Sequence, residues 1–237
     1  MNIILFDSEA EAEFIPAADH RAKHVRKVLG LGVGDSLFVG VVNGHRGKAT
    51  IVSDGEPGIT LLVDWEPRPP ITYPIRLLIG LPRPHTARKI LFDAACLGVE
   101  RLDFFESQKG EPSYRKSKLW ASDEWRERLR LGAEQAFATQ LPQVEHFGTL
   151  QAALEADPLP GLALDVYEGE GPLSRFCPKR LEPTQLAIGS ERGWSADERN
   201  VLRGHGFRLV GLGERVLRTE TACVTAVSVV LAAANCL

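Results

Sequence analysis

The sequence predicts an α/β protein in which a small β-rich domain precedes a larger domain built on a parallel sheet. Residues 1–66 hold several short strand-like runs and one helix candidate, which is typical of a small barrel or sandwich. From about residue 74, short apolar runs alternate with helix-period segments, as in a doubly wound α/β sheet. The proline-rich run 66–70 separates the two patterns, so we predict domains at 1–69 and 70–237.

The N-terminal elements follow from local patterns of apolar and turn-forming residues. The predicted elements are the strand Asn2–Phe6, a basic helix from about Asp19 to Leu29, and the strands Ser36–Val42, Gly47–Ser53 and Ile59–Trp65. Gly30 is expected to end the helix. The dipeptide Asn43-Gly44 is a strong hairpin signal and joins two of these strands.

The C-terminal domain is predicted to alternate strands buried on both faces with amphipathic helices. The predicted strands are Ile75–Leu81, Leu102–Glu106, Leu162–Val166, Gln185–Ile188 and Arg208–Leu212, and the predicted helices lie at about 86–97, 122–138, 196–204 and 220–235. Ser195 and Glu198 have capping-box spacing and predict the start of the third helix. Such sheets bind ligands beyond the carboxyl ends of their strands, so the loops found there are the candidate site.

Composition narrows the class of protein. The 28 basic and 31 acidic residues give a net charge of −3, which argues against a protein coated in positive charge but permits a local basic patch. No apolar run reaches the length of a transmembrane helix and the N-terminus lacks a basic leader, so we expect a cytoplasmic protein without a membrane partner. The four cysteines are scattered, which disfavours a disulfide framework and a metal site.

Three polar loops follow the last three predicted strands. They span residues 168–172 (EGEGP), 189–195 (GSERGWS) and 211–222 (GLGERVLRTETA). Glycines in them let a ligand approach the backbone closely. None reads G-x-G-x-x-G or Walker A, so a dinucleotide or P-loop nucleotide site is disfavoured. Composition alone supports a ligand site and ordinary βα turns about equally.

The amino-acid sequences of these loops resemble a known family signature. The stretches IGSERGWSADE and GFRLVGLGERVLRTETACVTAVSVVLA look like those of the SPOUT methyltransferases, and most resemble the ribosomal RNA small subunit methyltransferase E family. That family methylates N3 of a uridine in 16S ribosomal RNA. Residues 20–29 (HRAKHVRKVL) with 33–35 (VGD), and 97–99 (LGV) with 133–135 (AEQ) and Pro142, are similar to its N-terminal and middle segments. The resemblance spans nearly the whole chain.

The resemblance implies a PUA-like RNA-binding β-barrel over 1–69 and a SPOUT domain over 70–237, with a deep trefoil knot at about 162–237. It also implies an obligate homodimer that acts on 16S rRNA of the small subunit and uses S-adenosyl-L-methionine. The residues that match the family's cofactor loops are Leu164, Gly189, Glu191, Gly193, Leu212, Gly213, Val216, Leu217, Arg218, Thr219, Thr221 and Ala222.

The candidate catalytic residues follow from the chemistry that the resemblance implies. A methyl sulfonium is already an electrophile and needs no metal. The uridine N3 is weakly acidic, so a carboxylate must help remove its proton or a cation must stabilise the charge that develops on O2 and O4. Arg218 is the candidate cation or phosphate clamp, while Glu191 and Glu220 are candidates for the base or an orienting group. The alternative for Arg218 and Glu220 is a local ion pair that shapes the knot.

Basic residues cluster despite the acidic net charge. The segment His20–Lys27 holds four cations and no acid, and further clusters lie at 83–89 and 109–118. Each is either a solvated face or part of a local path that contacts phosphates. The candidate RNA-binding residues are Arg21, Lys23, His24, Arg26, Lys27, Arg83 and Arg88.

The sequence also departs from the family pattern. Arg192 stands where the family's second loop carries a glycine, and a positive φ there would strain it. Charged residues of the family are replaced at Gly30, Asp93, Cys96 and around Ala138. Two alternatives therefore stay open: a SPOUT methyltransferase for a different RNA site, and a catalytically weakened paralogue that binds RNA or cofactor.

Overall fold

The computed structural model describes residues 2–67 and 69–237 and divides the chain into two compact units. The first comprises residues 1–71 together with Arg130–Leu141, and the second comprises Thr72–Leu129 together with Pro142–Leu237. The predicted linker 66–70 contains Arg68, which lies outside the described residues. Sequence alone did not indicate that residues 130–141 belong with the N-terminal unit, because they continue a helix of the second unit.

The N-terminal unit is built on a five-stranded sheet with the order β1-β3-β4-β5-β2. Its strands are β1 (Ile4–Phe6), β2 (Phe14–Pro16), β3 (Ser36–Val41), β4 (Arg46–Asp54) and β5 (Gly58–Trp65). The first strand is parallel to β3 and the other pairs are antiparallel. Short helices α1 (Glu9–Ala12) and α2 (His20–His24) accompany the sheet, and a π-helical turn over Val25–Leu29 continues α2. Gly30, with φ of 67°, ends that turn in the left-handed region.

The core of this unit comes from alternating strand residues and from the segment 130–141. Val39, Ala49, Ile51 and Ile59 are fully buried or nearly so, as expected when one face of a sheet packs inward. Ile3 and Leu5 pack in a second cluster with Ala133, Phe137 and Leu141. The segment 130–141 therefore contributes apolar side chains that the N-terminal unit buries.

The C-terminal unit contains a six-stranded parallel sheet with the order β11-β9-β10-β6-β7-β8. Its strands are β6 (Tyr73–Gly80), β7 (Val99–Phe105), β8 (Gln143–Phe147), β9 (Gly161–Leu164), β10 (Thr184–Ile188) and β11 (Arg208–Val210). Its helices are α3 (Pro84–Cys96), α4 (Lys118–Ala121), α5 (Glu124–Gln135, which runs into the segment 130–141), α6 (Leu150–Ala156), α7 (Ala196–Gly204) and α8 (Thr219–Ala233), with 3₁₀ turns at Pro112–Lys116 and Leu173–Arg175. The predicted parallel α/β sheet is confirmed.

Burial in this sheet follows the pattern that the apolar runs predict. All five residues of β10 are buried, since helices cover both faces of a parallel sheet. The sequence missed β8 and α6, because QVEHF carries too few apolar residues for a buried run and α6 spans only seven residues. No helix within the described part of the chain is long and apolar enough to cross a membrane.

The segment that follows β9 lies against β11 and the turn after it. The amide of Asp165 donates to the Val210 carbonyl over 2.8 Å, and that of Glu170 donates to the Leu209 carbonyl over 2.9 Å. In the reverse direction, the Gly211 amide donates to the Gly171 carbonyl over 2.8 Å. After β11 the chain returns towards the centre of the sheet, where α8 packs against α3 and β10. These contacts bring the three polar loops together at one edge of the sheet.

Candidate active site

A cavity of about 660 Å³ lies beyond the carboxyl ends of β9 and β10. That volume is in the range of small-molecule and cofactor sites. The cavity is lined by ten of the twelve residues predicted to bind cofactor, namely Leu164, Gly189, Glu191, Gly193, Leu212, Val216, Leu217, Arg218, Thr219 and Ala222. The other two, Gly213 and Thr221, lie in the same loop and helix but do not line it. Residues of all three predicted candidate classes (catalytic, cofactor-binding and RNA-binding) meet here, since Arg83 and Glu220 also line it.

The loop after β10 is shaped by close backbone packing. A Cβ on Gly80, the last residue of β6, would lie 2.6 Å from the Ser190 nitrogen, so only glycine fits there without displacing the loop. Gly193 has φ of 68°, which glycine adopts readily. Ser195 and Glu198 then form both hydrogen bonds of the predicted capping box, over 3.0 and 2.8 Å. The loop is therefore held at both ends.

Arg192 does not have the positive φ that would strain a residue at this position. In the described part of the chain, positive φ at non-glycine residues is confined to Asn43, Phe137 and Asn235. The left-handed position of the loop falls on Gly193 instead. The replacement of a family glycine by Arg192 is therefore compatible with this loop and adds a cation to the cavity lining.

Asp165 anchors the loop after β9 and was missed by the sequence-based prediction. One of its carboxylate oxygens accepts the backbone N–H groups of Tyr167 over 2.8 Å and Glu168 over 3.2 Å, and Arg199 donates to the carboxylate. Burial would raise the pKa of Asp165, but these donors favour the ionised form and the pKa lies below its usual range. The available signal was an acidic residue directly after a buried strand, at the ligand-binding edge of the sheet.

Glu191 is paired with Arg83. Its Oε1 accepts the backbone N–H of Arg83 over 2.9 Å and lies 3.4 Å from the guanidinium Nε. The carboxylate thereby bridges the loop after β10 and the start of α3. Arg83, which the sequence predicted to bind RNA, also lines the cavity. Its side chain is 61% exposed.

Glu220 is paired with Lys89 rather than with Arg218. The Lys89 Nζ lies 3.0 Å from Glu220 Oε1, and the glutamate side chain is only 12% exposed. Burial would raise the pKa of Glu220, but its own backbone N–H, Lys89 and a longer-range attraction to Arg218 bring it below the usual range. The alternative of an Arg218–Glu220 ion pair is therefore replaced by a pairing between α3 and α8, and the Arg218 side chain stays open to the cavity.

Lys89 lies one helical turn before Asp93, the position at which the family carries a lysine. Burial and the nearby Glu220 carboxylate raise the pKa of Asp93, and Lys89 opposes that rise. Burial also raises the pKa of Cys96 to about 11. Lys89 thus supplies a cation to the contact between α3 and α8.

The cavity lining carries an excess of unpaired positive charge. Its acidic residues are all partnered: Asp165 with Arg199, Glu191 with Arg83, and Glu220 with Lys89. Across residues 2–67 and 69–237, no carboxylate lies within ion-pairing distance of the lining residues Arg192, Arg215 or Arg218. The cavity therefore suits a ligand with anionic groups.

Arg21, predicted from the sequence to bind RNA, is instead committed to contacts within the N-terminal unit. Its guanidinium lies 2.7 Å from Glu11 and 2.7 Å from Asp19, and stacks over the Phe6 ring at 4.5 Å. The side chain is only 13% exposed. The segment His20–Lys27 contains no acid, but Glu11 and the N-cap residue Asp19 neutralise this cation.

The other basic candidates divide into paired and open side chains. Arg26 is paired with Asp54, and Arg88 contacts Glu124 with two hydrogen bonds of 2.6 and 3.1 Å. Both arginines therefore stabilise contacts within their own unit. On the predicted helix, Lys23 and Lys27 are exposed and open to a ligand, whereas His24 is half-buried and burial lowers its pKa.

Comparisons with known proteins agree with this geometry. A family model described as an RNA methyltransferase domain matches residues 69–231. The ribosomal RNA small subunit methyltransferase E of Treponema pallidum is 34% identical over 246 residues, covering 99% of this chain and 92% of the relative. This chain belongs to the ribosomal RNA small subunit methyltransferase E family. A second relative of that name from Borreliella burgdorferi is 24% identical, with 95% of each chain covered. The resemblance stated from sequence is confirmed.

Solved structures of similar fold match nearly the whole length of this chain. A Legionella pneumophila protein described as a methyltransferase, with bound S-adenosylmethionine, gives a TM-score of 0.79 at 24% identity and 98% coverage of both chains. A Neisseria gonorrhoeae small subunit methyltransferase E bound to the same cofactor gives 0.78 at 18% identity, covering 98% of this chain and 97% of that one. These neighbours confirm the mixed α/β fold of this RNA methyltransferase.

Proposed function

We propose that this protein transfers a methyl group from S-adenosylmethionine to N3 of a uridine in 16S ribosomal RNA of the small subunit. The observation that carries the proposal is the cavity at the carboxyl edge of the sheet, whose lining holds the loops that match the family signature. The relatives that carry the small subunit methyltransferase name are similar over nearly the full chain. Action on ribosomal RNA also implies a cytoplasmic protein.

The residues present fit the cofactor. Apolar side chains of Leu164, Ile188 and Leu217 line the cavity and suit an adenine ring, while the backbone of residues 189–193 offers polar groups close to the ligand. The cofactor, when bound, supplies the electrophilic methyl group. The residues of this chain bind the cofactor and orient the uridine.

Arg218 is the proposed stabiliser of the charge that develops on the uridine oxygens. It is open to the cavity, and no carboxylate in the described ranges neutralises it. Glu191 and Glu220 are both held beside cations, Arg83 and Lys89 respectively. Because Glu220 is only 12% exposed and is bound to Lys89 at the α3–α8 contact, we assign it an orienting role and keep Glu191, which is 26% exposed, as the candidate base.

We infer that the N-terminal unit is the PUA-like RNA-binding barrel and that the segment 162–237 contains the trefoil knot. The five-stranded sheet with its own core supports the first inference. The hydrogen bonds of the segment after β9 to β11 and Gly211, followed by the return of the chain to α3, support the second. Threading of this kind is rare in proteins. Slow refolding of the chain after denaturation would support the knot.

We also propose a homodimer that uses the outer face of α8. After Glu220 this helix carries no charged residue, and Val224 and Val229 remain partly exposed. The partly exposed face of α8 is thus uncharged and carries small polar residues beside these valines, which is compatible with packing against a second copy of the helix. Light scattering should give twice the chain mass, and Val229→Arg should give a folded monomer. A monomeric wild-type protein, or an unchanged dimer in the variant, would contradict this interface.

The alternatives raised by the sequence rest on Arg192 and the lost cations. The loop accommodates Arg192 without a positive φ, and α3 carries Lys89, which pairs with Glu220. The departures on the cofactor side therefore do not imply a damaged cavity. The small subunit uridine remains the favoured substrate.

The deciding experiment is mass spectrometry of nucleosides from 16S rRNA of cells with and without this gene. N3-methyluridine should disappear on deletion and return when purified protein and S-adenosylmethionine are added to small subunits from the deletion strain. No methyl incorporation into the small subunit would refute the proposal. Methylation of another RNA would support the different-site alternative, and cofactor binding without methylation of any RNA would support the weakened paralogue.

A further inference from the structure

An exposed aromatic ring lies at the rim of the cavity. Tyr167 is 83% exposed and belongs to the cavity lining. Two further lining residues are also open to solvent, since Val166 is 46% exposed and Val216 is 75% exposed. Three exposed apolar side chains around one cavity form a surface that a ligand larger than the cavity itself would cover.

The backbone holds Tyr167 in place. Its N–H donates to Asp165 Oδ1, and Arg199 in turn anchors the Asp165 carboxylate. Two residues further on, a Cβ on Gly169 would lie 2.8 Å from the Asp165 carbonyl, so the loop turns back tightly on itself. The loop thus presents the ring from a fixed backbone, which lowers the entropy lost on binding.

The charges at this cavity indicate the chemistry of the ligand. The acidic lining residues are neutralised by their own partners, whereas Arg192, Arg215 and Arg218 have no carboxylate partner within the described residues. An exposed aromatic ring beside unpaired arginines fits a planar base with flanking phosphates. An apolar protein surface would leave these cations without compensation.

We propose that Tyr167 is a stacking platform for the uridine that enters the cavity and that Arg215 contacts a flanking phosphate. This inference rests on the proposed function and assigns the residue that receives the substrate base. A base must leave its stack to reach the cofactor, and an aromatic ring at the entrance replaces the lost stacking. Because Tyr167 contacts the RNA, its loss should act mainly on KM for RNA.

The test compares Tyr167→Ala with Tyr167→Phe, which keeps the ring and loses the hydroxyl. For small subunits from the deletion strain, kcat/KM of the alanine variant should fall by about 5- to 100-fold, mainly through KM. The phenylalanine variant should stay near wild type. Both should bind S-adenosylmethionine with unchanged affinity in calorimetry. Leu181→Ala, an exposed apolar residue outside the cavity lining, is the matched control.

A second measurement separates this inference from the proposed function. Fluorescence anisotropy of a short uridine-containing RNA, with S-adenosylhomocysteine present, reports RNA binding without methyl transfer. Tighter RNA binding by the phenylalanine than by the alanine variant supports stacking even if the wild-type protein methylates no small-subunit RNA. Equal RNA affinity and equal kcat/KM in the two variants would overturn the inference. Loss of the dimer in Tyr167→Ala would also overturn it, because the rim would then be a subunit contact.

Discussion

Three ionisable side chains meet where α3 and α8 pack against each other. Lys89 pairs with Glu220 over 3.0 Å, and Asp93 lies close enough for its pKa to be raised by Glu220 and opposed by Lys89. Two carboxyl groups thus share one ammonium in a partly buried place. Removing the ammonium leaves like charges without compensation.

Lys89→Met should destabilise the protein by about 1 kcal/mol at pH 7, a modest value because Lys89 is 41% exposed. A carboxyl group with a lowered folded-state pKa, such as Glu220, contributes stability at higher pH that is lost as the pH falls through that pKa. The difference between variant and wild type should therefore shrink below about pH 4, as Glu220 becomes protonated. Urea unfolding between pH 3.5 and 8 measures it, with Lys89→Arg as control. A difference that does not change with pH would contradict this account.

Arg218→Ala should lower kcat by about 100-fold or more, the cost typical of losing one group that stabilises developing charge. Affinity for S-adenosylmethionine should change much less, because the cavity walls remain. Methyl transfer and calorimetry measure the two effects. Arg208, an exposed arginine paired with Glu170 outside the cavity lining, provides the matched alanine control. Full turnover with unchanged cofactor affinity in Arg218→Ala would rule out a catalytic role.

At the scale of elements, helix α7 connects stability with the cofactor loop. Its N-cap Ser195 is the last residue of the loop 189–195 and forms both hydrogen bonds of a capping box with Glu198. Helix α6 has a comparable cap, Thr149, whose side chain accepts the Ala152 N–H over 3.1 Å. Neither Ser195 nor Thr149 belongs to the cavity lining. The two caps therefore form a matched pair, one beside the cavity and one remote from its loops.

Ser195→Ala and Thr149→Ala should each cost about 1 kcal/mol of stability. Only Ser195→Ala should also weaken S-adenosylmethionine binding, because its cap orients the loop that lines the cavity. Chemical denaturation and calorimetry on both variants measure these effects. Equal cofactor affinity in the two variants would show that the loop is held by its other contacts alone.

At the scale of the whole molecule, the two units are not consecutive pieces of chain. Residues 130–141 interrupt the C-terminal unit and supply Ala133, Phe137 and Leu141 to a cluster with Ile3 and Leu5. A fragment that begins at residue 72 therefore lacks the strands that bury those side chains. The domain boundary predicted at 69 and 70 cannot be used alone to separate the units.

The fragment 72–237 should aggregate or bind a hydrophobic dye, because its segment 130–141 exposes apolar surface. The same fragment with Phe137→Ser and Leu141→Ser should be markedly more soluble. Size-exclusion chromatography and dye fluorescence, with the full chain as reference, check this. A wild-type fragment that stays monomeric and binds no dye would contradict the role of the segment.

Sequence patterns determined the strand and helix alternation, the polar loops at one edge of the sheet and the family. These are local properties. The apolar run of β10 predicts burial on both faces of the strand. The pair Ser195 and Glu198 predicts the start of a helix within four residues. Ion pairs between distant segments were not predictable in the same way. Arg21 with Glu11, Lys89 with Glu220 and Arg83 with Glu191 join residues 10, 131 and 108 positions apart.

Only the tertiary structure decided which cations are free. Arg21 looked available in the acid-free segment His20–Lys27 but is neutralised by Glu11 and Asp19. For Arg218 the sequence left a catalytic cation and an ion pair with Glu220 as alternatives, and in the structure Glu220 pairs with Lys89 while Arg218 is open to the cavity. The same holds for Asp165 and Tyr167, whose roles depend on Arg199 and on the exposed rim of the cavity. The physical reason is that charge compensation depends on distance in space, and a chain of 237 residues sets those distances only when it folds.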